Sequence, residues 1–142
     1  MHLLLVDDNP GDVDLVLEVL KGSDLPLQVT VAVDGVEALE RLRAPGELPD
    51  LMILDLNLPR KDGRVVLREM KADARLRRIP VVVLSSSEAD RDLGEVYDLQ
   101  ANCFVTKPPD LDDFFAAVRG IEHFWLRLAK LPPSRDLKAA VE

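Results

Sequence analysis

Short runs of consecutive apolar residues recur along the chain: LLLV at 3–6, VTVAV at 29–33, LMIL at 51–54 and VVVL at 81–84, with a weaker CFVT at 103–106. Between the first runs the apolar positions change to helical spacing, with Val13, Val16, Leu17 and Leu20, then Val36, Leu39 and Leu42, then Val65, Val66 and Met70. The runs do not alternate apolar with polar, so each strand is expected to be buried on both faces. That is the signature of a parallel sheet covered by helices. The repeated strand–helix order therefore predicts a doubly wound α/β fold, a five-stranded parallel sheet flanked by five helices. Helix starts agree: Asn9 followed by Pro10 reads as an N-cap with a first-turn proline, and Asp34-Gly35 and Pro109-Asp110 punctuate later helices. In the last helix Phe114, Val118, Ile121, Trp125 and Leu128 form one apolar stripe at helical spacing. Phe115 and Phe124 flank that stripe, and Leu126 and Leu131 continue the apolar content. Leu15 and Val19 are likewise surplus to the stripe of the first helix.

Composition narrows the class. The 142 residues carry 18 Lys and Arg against 26 Asp and Glu, a net charge of -8, which argues against a phosphate-backbone footprint and hence against nucleic acid. Arg75, Arg77 and Arg78 read as a solvated helix end. The single Cys103 allows no internal disulfide, and no Cys/His cluster offers a zinc site. The start MHLLLVDDNP has neither the basic region of a leader nor the length of a membrane span, so a cytoplasmic protein without a membrane anchor is expected. A compact domain over 1–128 followed by a polar extension or tail at 129–142 is the expected organisation, because Pro132-Pro133 opens a stretch with linker character.

The stretch LMILDLNLPRKDG at 51–63 places Asp55 directly after a fully apolar strand. A carboxylate beside a core is costly unless paired, so Asp55 is a helix cap, an ion-pair partner or a site. In a parallel α/β sheet, ligands bind at the carboxyl ends of the strands. There the sequence puts Asp7-Asp8 after strand one, Asp55 after strand three, Ser85-Ser86-Ser87 after strand four and Thr106-Lys107-Pro108 after strand five. Carboxylates in close proximity suit a cation between them, and magnesium takes hard oxygen ligands together with substrate phosphate oxygens. With a phosphoryl group on or beside Asp55, Ser85 and Lys107 would supply a hydroxyl and an ammonium to its oxygens, and Asp55 would act as a nucleophile. Taken singly, Asp8 could cap a turn, Ser85 a helix, and Lys107 could be surface charge.

The set VDD at 6–8, LDLNLPRKDG at 54–63, VVLSSS at 82–87 and FVTKP at 104–108 resembles the receiver domain of two-component response regulators, a flavodoxin-like fold, over about residues 1–128. The resemblance implies that Asp55 is the phosphoacceptor and that Asp8 binds Mg2+ directly. It gives Asp7 a contact to the metal mainly through water, and Asn57 a backbone-carbonyl contact. It also implies Ser85 as the switch hydroxyl, Phe104 as the switch aromatic, Lys107 as the phosphate-binding lysine, and a cis peptide bond before Pro108. Serine at 85 and phenylalanine at 104 stand where threonine and tyrosine are commoner, so a switch at Phe104 would work by ring packing alone. DDNPGDVDLV and DLDDFFAAVRGIEHFWL are further similar to single-domain regulators paired with bacterial phytochrome histidine kinases.

Other classes fit less well. A phosphatase built on a strand-end aspartate wants a second aspartate two residues on, where this chain has Asn57, and the seven glycines form no nucleotide-binding loop. An adaptor that had abandoned phosphorylation would be expected to lose an acid or the lysine. The resemblance thus implies a signalling protein rather than an enzyme, with a histidine kinase as partner and with output by protein contact or onward phosphotransfer. The surplus apolar residues suggest kinase docking at Leu15, or else a wider buried face on the first helix, and a homodimer built on the last helix, or else rings folded onto their own domain. The resemblance implies that repacking of Phe104 would couple such a dimer to Asp55.

Overall fold

The structure is a computed structural model in which residues 1–86 and 90–132 are described. Five strands, β1 (His2–Val6), β2 (Gln28–Ala32), β3 (Leu51–Leu54), β4 (Val81–Ser85) and β5 (Cys103–Thr106), form one parallel sheet in the order β2-β1-β3-β4-β5. The helices α1 (Pro10–Lys21), α2 (Gly35–Arg43), α3 (Gly63–Lys71), α4 (Asp90–Asp98) and α5 (Leu111–Ile121) connect or follow them, and α5 runs into a π-helical segment at Glu122–Leu128. The expected doubly wound sheet with five flanking helices is therefore present. No helix among the described residues is long and apolar enough to cross a membrane.

Each strand divides its side chains between two hydrophobic layers. On one face Leu4, Val6, Met52, Leu54, Val81 and Val83 meet α2, α3 and α4 through Leu39, Leu42, Val66, Leu67, Met70 and Val96. On the other face Leu3, Leu5, Leu51, Ile53, Val82 and Leu84 meet α1 and α5 through Val16, Leu20, Phe114, Val118 and Ile121. Burial on both faces explains why the strand runs show no alternation. Leu15 and Val19 are half-buried against the second layer, so they widen the core stripe of α1, while Leu17 is half-buried outside that cluster.

Capping places the helices. The side chains of Asn9, Asp34, Asp62 and Asp110 accept from first-turn amides of α1, α2, α3 and α5, and Pro10 opens α1. Arg75 is more than a solvated charge, because its guanidinium donates to the carbonyls of Leu42 and Gly46 at 3.0 Å each and ties the turn after α3 to the end of α2.

The apolar stripe of the last helix departs from its expected course. Phe114, Val118 and Ile121 are buried as expected, but Leu128 is 63% exposed, Phe124 is 51% exposed, and Leu126 is buried. The segment 122–128 pairs i→i+5, shown by the Ala129 amide donating to the Phe124 carbonyl at 2.7 Å. Each wider turn advances the phase by a residue, so the stripe through Ile121 continues at Leu126, and Trp125 is left half-buried at its margin. The link between Phe104 and this extension is also corrected. Phe104 packs on the α2–α3–α4 face of the sheet, whereas α5 and its extension lie on the opposite face.

Candidate functional site

Parallel register brings the strand ends together. Val6 lies beside Leu54 and Leu54 beside Val83, while Ser85 pairs with Thr106. The ladder continues one residue past the strands: the Asp55 amide donates to the Val6 carbonyl at 2.9 Å, Asp7 to Ala32 at 3.0 Å and Lys107 to Ser85 at 2.8 Å. The residues that carry chemistry thus sit on the last hydrogen bonds of a rigid sheet, where their backbones cannot drift apart.

Lys107 stands at the centre. Its ammonium, with a side chain 8% exposed, donates to Asp7 Oδ2 at 2.8 Å, to Asp55 Oδ2 at 2.9 Å and to Asp12 Oδ2 at 2.8 Å. Burial by itself would depress the Lys107 pKa, but the bonds to Asp12, Asp7 and Asp55 outweigh it and hold the ammonium above its ordinary value. Asp7 is displaced upward by its burial, which the bonds from Lys107 and the Asn9 amide only partly offset. The second oxygen of Asp7 accepts from the Asn9 amide at 2.9 Å, and that of Asp55 from the Asn57 amide at 3.3 Å.

One carboxylate oxygen each from Asp7, Asp8 and Asp55 lies within 4.8 Å of the other two, with Asp7 and Asp55 buried and Asp8 exposed. Three carboxylates this close repel one another, and a single shared lysine leaves them net negative. The donor set is all hard oxygen and open to water through Asp8, which fits magnesium and excludes a thiophilic metal. On the adjoining strand Ser85 is fully buried, and its Oγ has no hydrogen-bond partner among the described residues. A buried hydroxyl without a partner is a cost the fold ordinarily avoids, and a phosphoryl oxygen would relieve it.

Two glycines close the loops around this edge. A Cβ on Gly63 would lie 2.4 Å from the Asp55 carbonyl oxygen, and one on Gly35 would lie 2.0 Å from the Lys61 carbonyl oxygen. Both neighbours are backbone, so neither position has room for any side chain. Arg60 holds a left-handed φ of 65°, at a cost of about 1 kcal/mol, and donates to Asp34 at 3.3 Å across the same loops.

The sequence-predicted residues Asp7, Asp8, Asp55, Ser85 and Lys107 thus converge on one edge, and Asn57 is exposed beside them. Phe104 is half-buried on the neighbouring strand. Ser87 lies outside the described residues. The expected cis bond before Pro108 is not present, since no peptide bond among the described residues is cis. The X-Pro amide favours trans by about 0.5–1 kcal/mol, and Lys107 reaches all three carboxylates without the cis form. Asp12 escaped the sequence reading because it lies on a helix and not at a strand end. A signal was available: it is the third residue after the Asn9 cap, and its amide bonds to Asn9 Oδ1 at 3.1 Å, a position that directs a side chain back toward the strand ends.

Comparison with known proteins agrees with this geometry. Residues 3–119 match the response regulator receiver domain. The chain is 46% identical over 135 residues to the response regulator Rcp1 of Synechocystis sp. (strain ATCC 27184 / PCC 6803 / Kazusa), covering 92% of each chain. Among solved structures it is similar to the Mn(2+)-bound form of Rcp1, with a TM-score of 0.89 and 45% identity, covering 92% of this chain and 98% of that one. It is equally similar to the phosphorylated cyanobacterial phytochrome response regulator RcpA, with a TM-score of 0.89 and 49% identity, covering 92% of this chain and 97% of that one.

Proposed function

The chain belongs to the response regulator receiver family, and on that premise we propose that it accepts a phosphoryl group on Asp55 from a histidine kinase and relays the change by protein contact or onward phosphotransfer. The observation that carries this reading is a buried lysine held between Asp7 and Asp55 next to a buried serine hydroxyl that has no partner among the described residues. In the transfer an Asp55 carboxylate oxygen attacks phosphorus as the phosphorus–nitrogen bond of the phosphohistidine breaks, and the bonding pair returns to the imidazole nitrogen. Lys107 would turn one of its three N–H groups from a carboxylate to the arriving phosphoryl oxygens, and the Ser85 hydroxyl would donate to another. Asp7, Asp8 and Asp55, with the Asn57 carbonyl, would hold Mg2+, which supplies positive charge to the acid cluster and to the phosphoryl oxygens. Self-phosphorylation and its hydrolysis are the whole of the chemistry, without turnover of a separate substrate.

The relatives point to the input: RcpA is a phytochrome response regulator, and we assign a phytochrome-type histidine kinase as the partner. The receiver would occupy residues 1–128, with 129–142 as its extension. Phe124 and Leu128, exposed on the π-helical segment, favour a homodimer through this end. Light scattering tests that: Phe124→Ser with Leu128→Ser should leave a monomer, and a wild-type monomer at tens of micromolar would remove the proposal.

Incubation with acetyl phosphate, with and without magnesium, tests the central reading. Label should appear only with magnesium, and Asp55→Asn should abolish it while the fold persists. Label retained in that variant would end the assignment.

A further inference from the structure

An ammonium has three N–H donors, and in Lys107 all three are committed to carboxylates, at Asp7, Asp55 and Asp12. The three acceptors are not equivalent. Asp7 and Asp55 have side chains only 3% and 8% exposed and belong to the close carboxylate trio, whereas Asp12 is 26% exposed and stands outside it. Asp12 is fixed on the first turn of α1, whose start is set by Pro10 and the Asn9 cap, so its carboxylate is held at the mouth of the site independently of the sheet. A charge in that place competes for the ammonium with the two acids that face the cation position, and its bond at 2.8 Å is as short as theirs.

We infer that Asp12 is a positioning residue for Lys107, sharing its ammonium so that Asp7 and Asp55 stay negative enough to take a divalent cation before any phosphoryl group arrives. This rests on the magnesium site proposed above. Without the Asp12 charge, Asp7 and Asp55 are the carboxylates left to the ammonium among the described residues, and it neutralises them more fully. The pocket also loses one negative charge, and both effects weaken cation binding in the same direction. A further charge at the edge of a partly solvated site changes the affinity for a divalent ion by roughly fivefold at low salt, and by less as salt screens it.

Calorimetric titration with MgCl2 on the full chain provides the test, with no phosphodonor present. Asp12→Asn should weaken binding about fivefold, and Asp12→Glu, which keeps the charge, should restore most of it. Asp14→Asn removes an equal charge from the exposed side of the same helix and should have a much smaller effect. The deciding measurement is the double-mutant cycle with Lys107→Met, in which the penalty of Asp12→Asn should shrink because the group it acts through is gone. An unchanged penalty in that background, or an equal penalty from Asp14→Asn, overturns the positioning role and leaves only a diffuse charge effect. Tight binding by the wild type that Asp12→Asn leaves unaltered also overturns it. A wild type that binds no magnesium refutes the cation site itself, so the two failures are distinguishable.

Discussion

The two ends of the molecule carry similar chemistry in opposite settings. At the carboxyl edge of the sheet one lysine serves Asp7, Asp12 and Asp55, with side chains of Lys107, Asp7 and Asp55 no more than 8% exposed. At the other end, where α1 and α5 finish, one arginine serves Asp24 and Glu122: Arg127 donates to Glu122 Oε1 at 2.9 Å and to Asp24, while Ser23 donates to the same Glu122 oxygen at 2.9 Å. Here Arg127 is 34% exposed and Asp24 83% exposed. Water screens the second network, which therefore clasps the extension onto the end of α1 with little energy. The first is mostly buried and has more acid than base, so it holds unrelieved repulsion that a cation can discharge. A pairing diagram of the two would look alike, and burial decides which of them can respond to a ligand.

The sharpest break of that comparison is Lys107→Ala. Removing the cation from a buried acid cluster should destabilise the metal-free protein by about 3 kcal/mol, read by denaturant unfolding in a chelator. A loss near zero would mean that the sheet edge is as solvated as the other end. Next comes the phase of the extension. Leu126→Ala should cost about 2 kcal/mol, because Leu126 is only 6% exposed, whereas Leu128→Ala at 63% exposed should leave the unfolding midpoint almost unchanged. The reverse order would mean that the α-helical register persists past Ile121. Magnesium itself should stabilise only the sheet edge. At ten times its dissociation constant the gain is about 1.4 kcal/mol, seen as a higher melting temperature that Asp7→Asn abolishes and Asp24→Asn leaves intact. The smallest effect belongs to Arg127→Ala. The Arg127 guanidinium bonded to Asp24 holds that carboxyl below its ordinary value, so the clasp is present above the ordinary carboxylate range and fades as pH falls through the depressed value. The difference between wild type and Arg127→Ala in thermal scans should accordingly be slight at neutral pH, vanish in acid and shrink in high salt.

Legibility in the sequence followed the same division. The apolar runs marked all five strands to within a residue or so, because burial on both faces leaves no polar position to blur a strand. Asp7, Asp55, Ser85 and Lys107 could be read as neighbours because parallel register aligns strand ends, so position along the chain translates directly into position in space. The extension resisted the same reading. Helical spacing assumes i→i+4 pairing, and a stretch that pairs i→i+5 moves Leu126 inward and Leu128 outward with no mark in residue type.

By itself, then, the amino-acid order determined the fold class, the strands, the caps at Asn9, Asp34 and Asp110 and the acids that meet at the sheet edge, since each depends on local pattern or on the alignment a parallel sheet imposes. Tertiary structure alone decided that Asp12 takes the third N–H of Lys107, that Phe104 faces the layer opposite α5, and that Ser85 Oγ has no partner among the described residues. Those outcomes depend on which groups from distant segments compete for the same few ångströms, and on how much water remains there.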